Sequence, residues 1–150
     1  MRAFHRWKEL GTVAVAVAFG AATAWACSCM PYPDDPREAV QRAWDQSDAI
    51  LSGEVTGLRQ IAVEGASPAI EVTLDVARRW KGPAGAQLKI RTADNSAACG
   101  YPFETGAQYL VFASRDAESG HYSTGLCSLT RPLADARALV GVLDARGESK

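Results

Sequence analysis

Histidine is the scarcest reactive side chain in this 150-residue chain, with only His5 and His121 present. Such a count cannot build a histidine-ligated metal cluster. Ser123 shares a strand face with His121, but without a nucleophile elbow around it the pair is read as surface, not catalytic. No P-loop and no dinucleotide-type glycine pattern occurs, which removes the common nucleotide-binding sites. Charge of one sign is also missing: 16 basic residues stand against 17 acidic ones. There is no basic patch for nucleic acid and no polybasic stretch for a membrane surface. Internal repeats, low-complexity linkers and a second domain are absent as well. Glu71 and Asp75 alternate on one strand face as solvated carboxylates do. Arg78 and Arg79 beside Trp80 read as a solvated edge with one core tryptophan. No enzyme class gathers support.

Long hydrophobic runs are short of membrane length. Leu10 to Ala24 is uncharged, about fifteen residues where roughly 20 are needed to span a bilayer. Preceded by Arg2, Arg6 and Lys8 and followed by Ala24-Trp25-Ala26, the run has the three zones of a secretory signal peptide over residues 1–26. A lipoprotein leader is the alternative, with Cys27 acylated. Against it, Ala24 replaces the usual aliphatic residue three positions upstream, and Trp25 is bulky. Cleavage after Ala26 leaves one 124-residue domain, 27–150, with 13 basic and 16 acidic residues and a net charge of −3. The expected product is a monomer, secreted or periplasmic, with no cofactor, no nucleic-acid partner and no membrane attachment after cleavage.

All four cysteines, Cys27, Cys29, Cys99 and Cys127, lie in that domain. An even count in an exported chain favours two disulfides over zinc, because C-x-C followed by isolated cysteines lacks a second close pair. A Cys27–Cys29 ring is too tight. Cys27 and Cys29 therefore reach separately to Cys99 and Cys127, closing loops of roughly 70 to 100 residues worth about 4 kcal/mol each.

After the proline-rich stretch Pro31 to Asp35, Asp35 reads as an N-cap with Pro36 at the first helical position and Glu38 three residues beyond the cap. That helix runs to about Gln46, with Ala39, Val40, Ala43 and Trp44 on one side. Period-two alternation then predicts strands over Ala49–Leu58, from Ile70 to Val76, over Gln87–Thr92 and over His121–Ser128, and the continuously apolar run Tyr109–Ala113 predicts a strand covered on both sides. Gly53 and Gly57 share a face of the first strand and suit a strong bend. The stretch from Val63 to Pro68 is a hairpin tip. Pro132–Arg146 is an amphipathic helix with Leu133, Ala136, Leu139, Val140 and Leu143 on its apolar face. The fold class expected is all-β dominated: a five-stranded OB-fold-like barrel with one N-terminal and one C-terminal helix. An open five-stranded α+β sheet is the alternative.

Cys27-Ser28-Cys29-Met30-Pro31 directly after a signal peptide resembles the mature start of the tissue inhibitors of metalloproteinases, Cys-x-Cys-x-Pro. The segment from Cys99-Gly100-Tyr101 to Phe112 is similar to that of netrin-type (NTR) domains, and with Cys127 the likeness spans the mature chain. The resemblance implies an OB-like barrel with Cys27 paired to Cys99 and Cys29 to Cys127. It also implies a zinc metalloendopeptidase as partner. The freed α-amine and carbonyl of Cys27 would chelate the protease's catalytic zinc and displace its water. Ser28 would enter the adjacent pocket, with Cys29, Met30 and Pro31 along the cleft. A third disulfide and a second cysteine-rich subdomain, both found in the animal inhibitors, are absent, and the Gln60 to Ala69 connection is short. The same framework also fits a non-inhibitory NTR-type binding or structural module.

Overall fold

In the computed structural model, which describes residues 27–65 and 67–147, Asp35 caps the first helix. Its Oδ1 accepts hydrogen bonds from the backbone N–H of Arg37 (2.8 Å) and Glu38 (3.1 Å). Helix α1 then runs Pro36–Gln46 and buries Ala39, Val40 and Ala43. Asp35→Ala is expected to cost about 1 kcal/mol, read as a shift in the urea unfolding midpoint. The expected signal segment, residues 1–26, lies outside the described residues.

The strands are β1 (Ala49–Ile61), β2 (Ala69–Lys81), β3 (Gln87–Ala93), β4 (Gln108–Arg115), β5 (Tyr122–Ser123) and β6 (Arg131–Pro132). They pair in the order β1-β2-β3-β5-β4-β6, and a second pairing of β1 with β4 closes the ring. The closing seam, β3 with β5, is parallel and two residue pairs long. This is an OB-fold-like barrel: five strands in a closed ring, with β6 as a short annex on β4.

Closure depends on β1 serving two neighbours. It pairs with β4 from Ala49 to Glu54 and with β2 from Ile50 to Ile61, with register shifts at Ile50/Leu51, Ser52/Gly53 and Val55/Gly57. A Cβ on Gly53 would lie 2.4 Å from the Asp75 carbonyl oxygen, so the bend is available only to glycine.

Two apolar layers result. Val55, Val72, Leu74, Ile90, Tyr109 and Val111 fill the barrel. Val40, Ala43, Ile50, Trp80, Leu110, Phe112, Leu139 and Leu143 form a second cluster beneath the helices. Strand β4 feeds both, so its apolar run does not alternate with polar residues. Helix α2 (Arg137–Arg146) is tied to the sheet by Asp144, whose Oδ1 accepts from Trp80 Nε1 at 2.9 Å and whose Oδ2 accepts from Arg78 Nη1 at 3.0 Å.

Two expected elements are corrected. The strand expected over His121–Ser128 shrinks to Tyr122–Ser123. Beyond it the hydroxyls offer the backbone other partners. Thr124 Oγ1 donates to the Phe112 carbonyl at 2.8 Å and lies 2.8 Å from Thr130 Oγ1, while Ser128 Oγ donates to the Gly125 carbonyl at 2.8 Å. Such local bonds compete with a sheet ladder. The helix expected over Pro132–Arg146 starts late. Pro132 pairs with Tyr109 in β6, Leu133–Asp135 is a 3₁₀ turn, and Ala136 at φ −102° and ψ 6° separates it from α2. Recruiting Pro132 to a sheet edge costs no donor, since proline has none.

Candidate functional site

The two disulfides join Cys27 to Cys99 and Cys29 to Cys127. They lie side by side, with Cys127 Sγ 3.9 Å from Cys27 Sγ and 3.9 Å from Cys99 Sγ. Three sulfurs thus gather within 4.8 Å of one another, but as bridges they are not thiolate ligands. Two anchors two residues apart leave the intervening backbone little freedom.

Between and beyond the anchors the chain lies outside any strand or helix. Cys27 is half-buried, whereas Ser28, Cys29, Met30 and Pro31 are exposed. A third restraint comes from α1, where Arg42 Nη1 donates to the Pro31 carbonyl at 3.0 Å. The same guanidinium sits 5.1 Å above the Tyr32 ring, and Tyr32 Oη donates to Gln46 Oε1 at 3.2 Å. Arg42 and Tyr32 therefore hold the far end of the segment. Sequence reading did not single them out; the available signal was an arginine one turn before the end of α1, on the side of the proline-rich stretch.

Beneath Cys27 lies the loop that carries Cys99. Asn95 caps the 3₁₀ turn Ser96–Ala98 by accepting from the Ala98 N–H at 2.9 Å. Cys99 adopts φ 62°, the one non-glycine residue with positive φ among those described. Gly100 N–H then returns to the Asn95 carbonyl at 2.9 Å, and Tyr101 N–H donates to Thr92 Oγ1 at 2.7 Å.

An open groove of about 430 Å³ adjoins this loop, with Leu58, Ile70, Tyr101, Phe103 and Leu126 supplying apolar walls and Asp94 to Ser96 a polar rim. Tyr101 packs against Phe103 at a tilt of 50°, with ring centroids 4.8 Å apart, and burial raises its phenol pKa above the ordinary value. The exposed large hydrophobics among the described residues are Met30 (73 %), Leu58 (41 %) and Leu126 (40 %). Two of them line the groove and two, Met30 and Leu126, are chain neighbours of the Cys29–Cys127 bridge. Apolar side chains gathered in water at one place are a mark of a contact surface.

The other residues weighed as chemical candidates are occupied or dispersed. Glu71 lies 2.8 Å from Arg59 and 3.4 Å from Lys89, and the Arg59 hydrogen bond first, then Lys89, hold its carboxyl below the usual range. Asp75 accepts from Gln87 Nε2 at 2.7 Å. Trp80 is buried, with the Arg78 guanidinium 5.1 Å from its ring. His121 and Ser123 are both exposed. No helix among the described residues is long and apolar enough to cross a membrane. Comparison of the chain with protein-family models and with curated proteins returns no match.

Proposed function

We propose that the chain is an exported inhibitor of zinc metalloendopeptidases, acting through the amine and carbonyl of Cys27 once residues 1–26 are removed. The observation that carries this reading is the Cys27–Pro31 segment, half-buried at Cys27 and exposed from Ser28 on, pinned by two adjacent disulfides and by Arg42. Such a wedge loses little further entropy on entering a protease cleft. A neutral α-amine and a carbonyl on one residue make a bidentate donor for the open position of a catalytic zinc. Ser28 would stand in the pocket next to the metal, while Cys29, Met30 and Pro31 fill the cleft. The Leu58–Leu126 groove offers apolar surface to the rim of the same partner. No catalytic step is assigned to the chain itself, and it acts as a monomer.

The test is a titration of the 27–150 protein against a panel of zinc endopeptidases, beside a form with one extra alanine before Cys27. Loss of the chelating amine should weaken inhibition at least about 100-fold, since metal coordination contributes several kcal/mol. Zinc takes the neutral amine, and an α-amine ordinarily titrates at about pH 7.7–8.0. Inhibition should therefore weaken by about tenfold per pH unit below that range. Equal potency of the two forms eliminates chelation. Inactivity of both favours the non-inhibitory NTR-type binding module.

A further inference from the structure

Arg91 is the unexplained cation of the barrel. It sits on β3 in a row that crosses the sheet: Arg59 on β1 opposes Glu71 on β2, Glu71 opposes Arg91, and Arg91 opposes Ser123 on β5. The one carboxylate in that row is already committed to Arg59 and Lys89. Arg91 Nε is buried and has no hydrogen-bond partner. Arg79 shares that feature, but one of its terminal nitrogens donates to the Gly85 carbonyl. Among the described residues the Arg91 side chain makes no hydrogen bond, ion pair or ring contact, and only its backbone is engaged, the carbonyl accepting from the Thr124 N–H at 2.9 Å. A buried N–H of a guanidinium without an acceptor costs free energy, and native proteins rarely leave one so.

The surroundings say what kind of acceptor fits. Arg91 lines a cleft of about 330 Å³ between the tip of the β1–β2 hairpin, the end of β3 and β5. Val63, Pro68 and Ala69 form an apolar wall, and Ser123 contributes a hydroxyl that is itself without a partner among the described residues. Thr124, also at the cleft, is already engaged on the Phe112 carbonyl. A planar fork of N–H donors matches a carboxylate in bidentate fashion, and Ser123 can donate a further hydrogen bond. The volume exceeds that of a bare oxyanion, and the apolar wall has no use for one.

We propose that this cleft binds a small organic carboxylate, with the carboxylate on Arg91 and Ser123 and the hydrocarbon portion against Val63, Pro68 and Ala69. The site lies on the β3–β5 seam and does not depend on the inhibitor reading.

The experiment follows the Arg91 Nε–H resonance of the ¹⁵N-labelled 27–150 protein during titration with hexanoate, hexanol and inorganic sulfate. Hexanoate should give a saturable shift in the millimolar range, hexanol none, and sulfate one at least about tenfold weaker. In Arg91→Gln, shifts of the Ala69 and Ser123 amides with hexanoate should fall at least about tenfold in affinity, while Arg37→Gln, on the outer face of α1, binds as the parent does. Sulfate binding as tightly as hexanoate would reduce the site to a simple ion contact and overturn the proposal. So would an unsaturable Arg91 shift, or hexanoate binding unchanged in Arg91→Gln. Should that variant not fold, the three titrations of the parent protein still decide the matter.

Discussion

Removing the outer bridge by Cys29→Ser with Cys127→Ser is expected to lower stability by about 3.5 kcal/mol, and removing the inner one by Cys27→Ser with Cys99→Ser by the same amount. The sequence separations, 98 and 72 residues, would suggest about 4.5 kcal/mol each if the loops were independent. They are not. With either bridge closed, the shortest covalent path joining the other pair runs two residues between the N-terminal cysteines and 28 between Cys99 and Cys127, a loop of roughly 30 residues. The four-serine variant must in addition give up the first long loop, so its loss is about 8 kcal/mol, more than the sum of the two pairs. That is comparable to the whole stability of a domain this size, and the variant should be unfolded at 37 °C. Urea midpoints on the three variants check the scheme, and single-bridge losses near 4.5 kcal/mol that simply add would refute the shared loop. Activity separates the bridges further. Loss of Cys29–Cys127 leaves Cys27 tethered and Pro31 held by Arg42 but frees Ser28 to Met30, which on the proposed inhibitor reading should weaken protease inhibition by about tenfold through ordering entropy alone.

Legibility in the sequence followed how local each cause was. Helix α1 was readable because cap, first-turn proline and first-turn glutamate stand within four residues, and Asp35 needs no distant partner. Strand β4 announced itself as a continuous apolar run, which only a strand covered on both faces sustains. The bends of β1 were visible as Gly53 and Gly57. Where the cause is tertiary, the reading failed. Nothing in Ser123 to Ser128 reveals that the ladder will stop after the Thr124 N–H reaches the Arg91 carbonyl, with the Thr124 hydroxyl taken by the carbonyl of Phe112, twelve residues earlier. Nor does Leu133 to Ala136 show that Pro132 will be taken by β4. Of the candidate site, the exposed Cys-Ser-Cys segment was legible, and elimination narrowed the bridges to two pairings. The Arg42 strut and the Arg91 cleft were not, because each joins elements whose proximity is decided only when the barrel closes.

The joint between that barrel and the site is Gly100, and Gly100→Ala should be the most damaging single-methyl change in the protein. A Cβ there would stand 2.1 Å from the Ala93 carbonyl oxygen and 2.8 Å from that of Asn95. Both obstacles are backbone, so no rotamer change relieves them. Either the end of β3 or the loop carrying Cys99 has to move, and with it go the Gly100-to-Asn95 and Tyr101-to-Thr92 hydrogen bonds. Overpacking together with two lost bonds amounts to about 3 kcal/mol or more, a fall in Tm of roughly 10 °C for a domain this size. Gly57→Ala is the matched control. Its Cβ would meet only Thr73 side-chain atoms at 3.8 Å, an ordinary contact, and its effect should stay within about 1 kcal/mol. Because Cys99 precedes Gly100 and carries Cys27 on its sulfur, the displaced loop should also re-aim the Cys27–Pro31 segment. If the chain inhibits as proposed, inhibition by Gly100→Ala, measured well below its melting temperature, should therefore fall while that of Gly57→Ala is unchanged. A Gly100→Ala protein that melts with the parent would show that the loop yields without cost, and the rigid mounting of Cys27 would have to be abandoned.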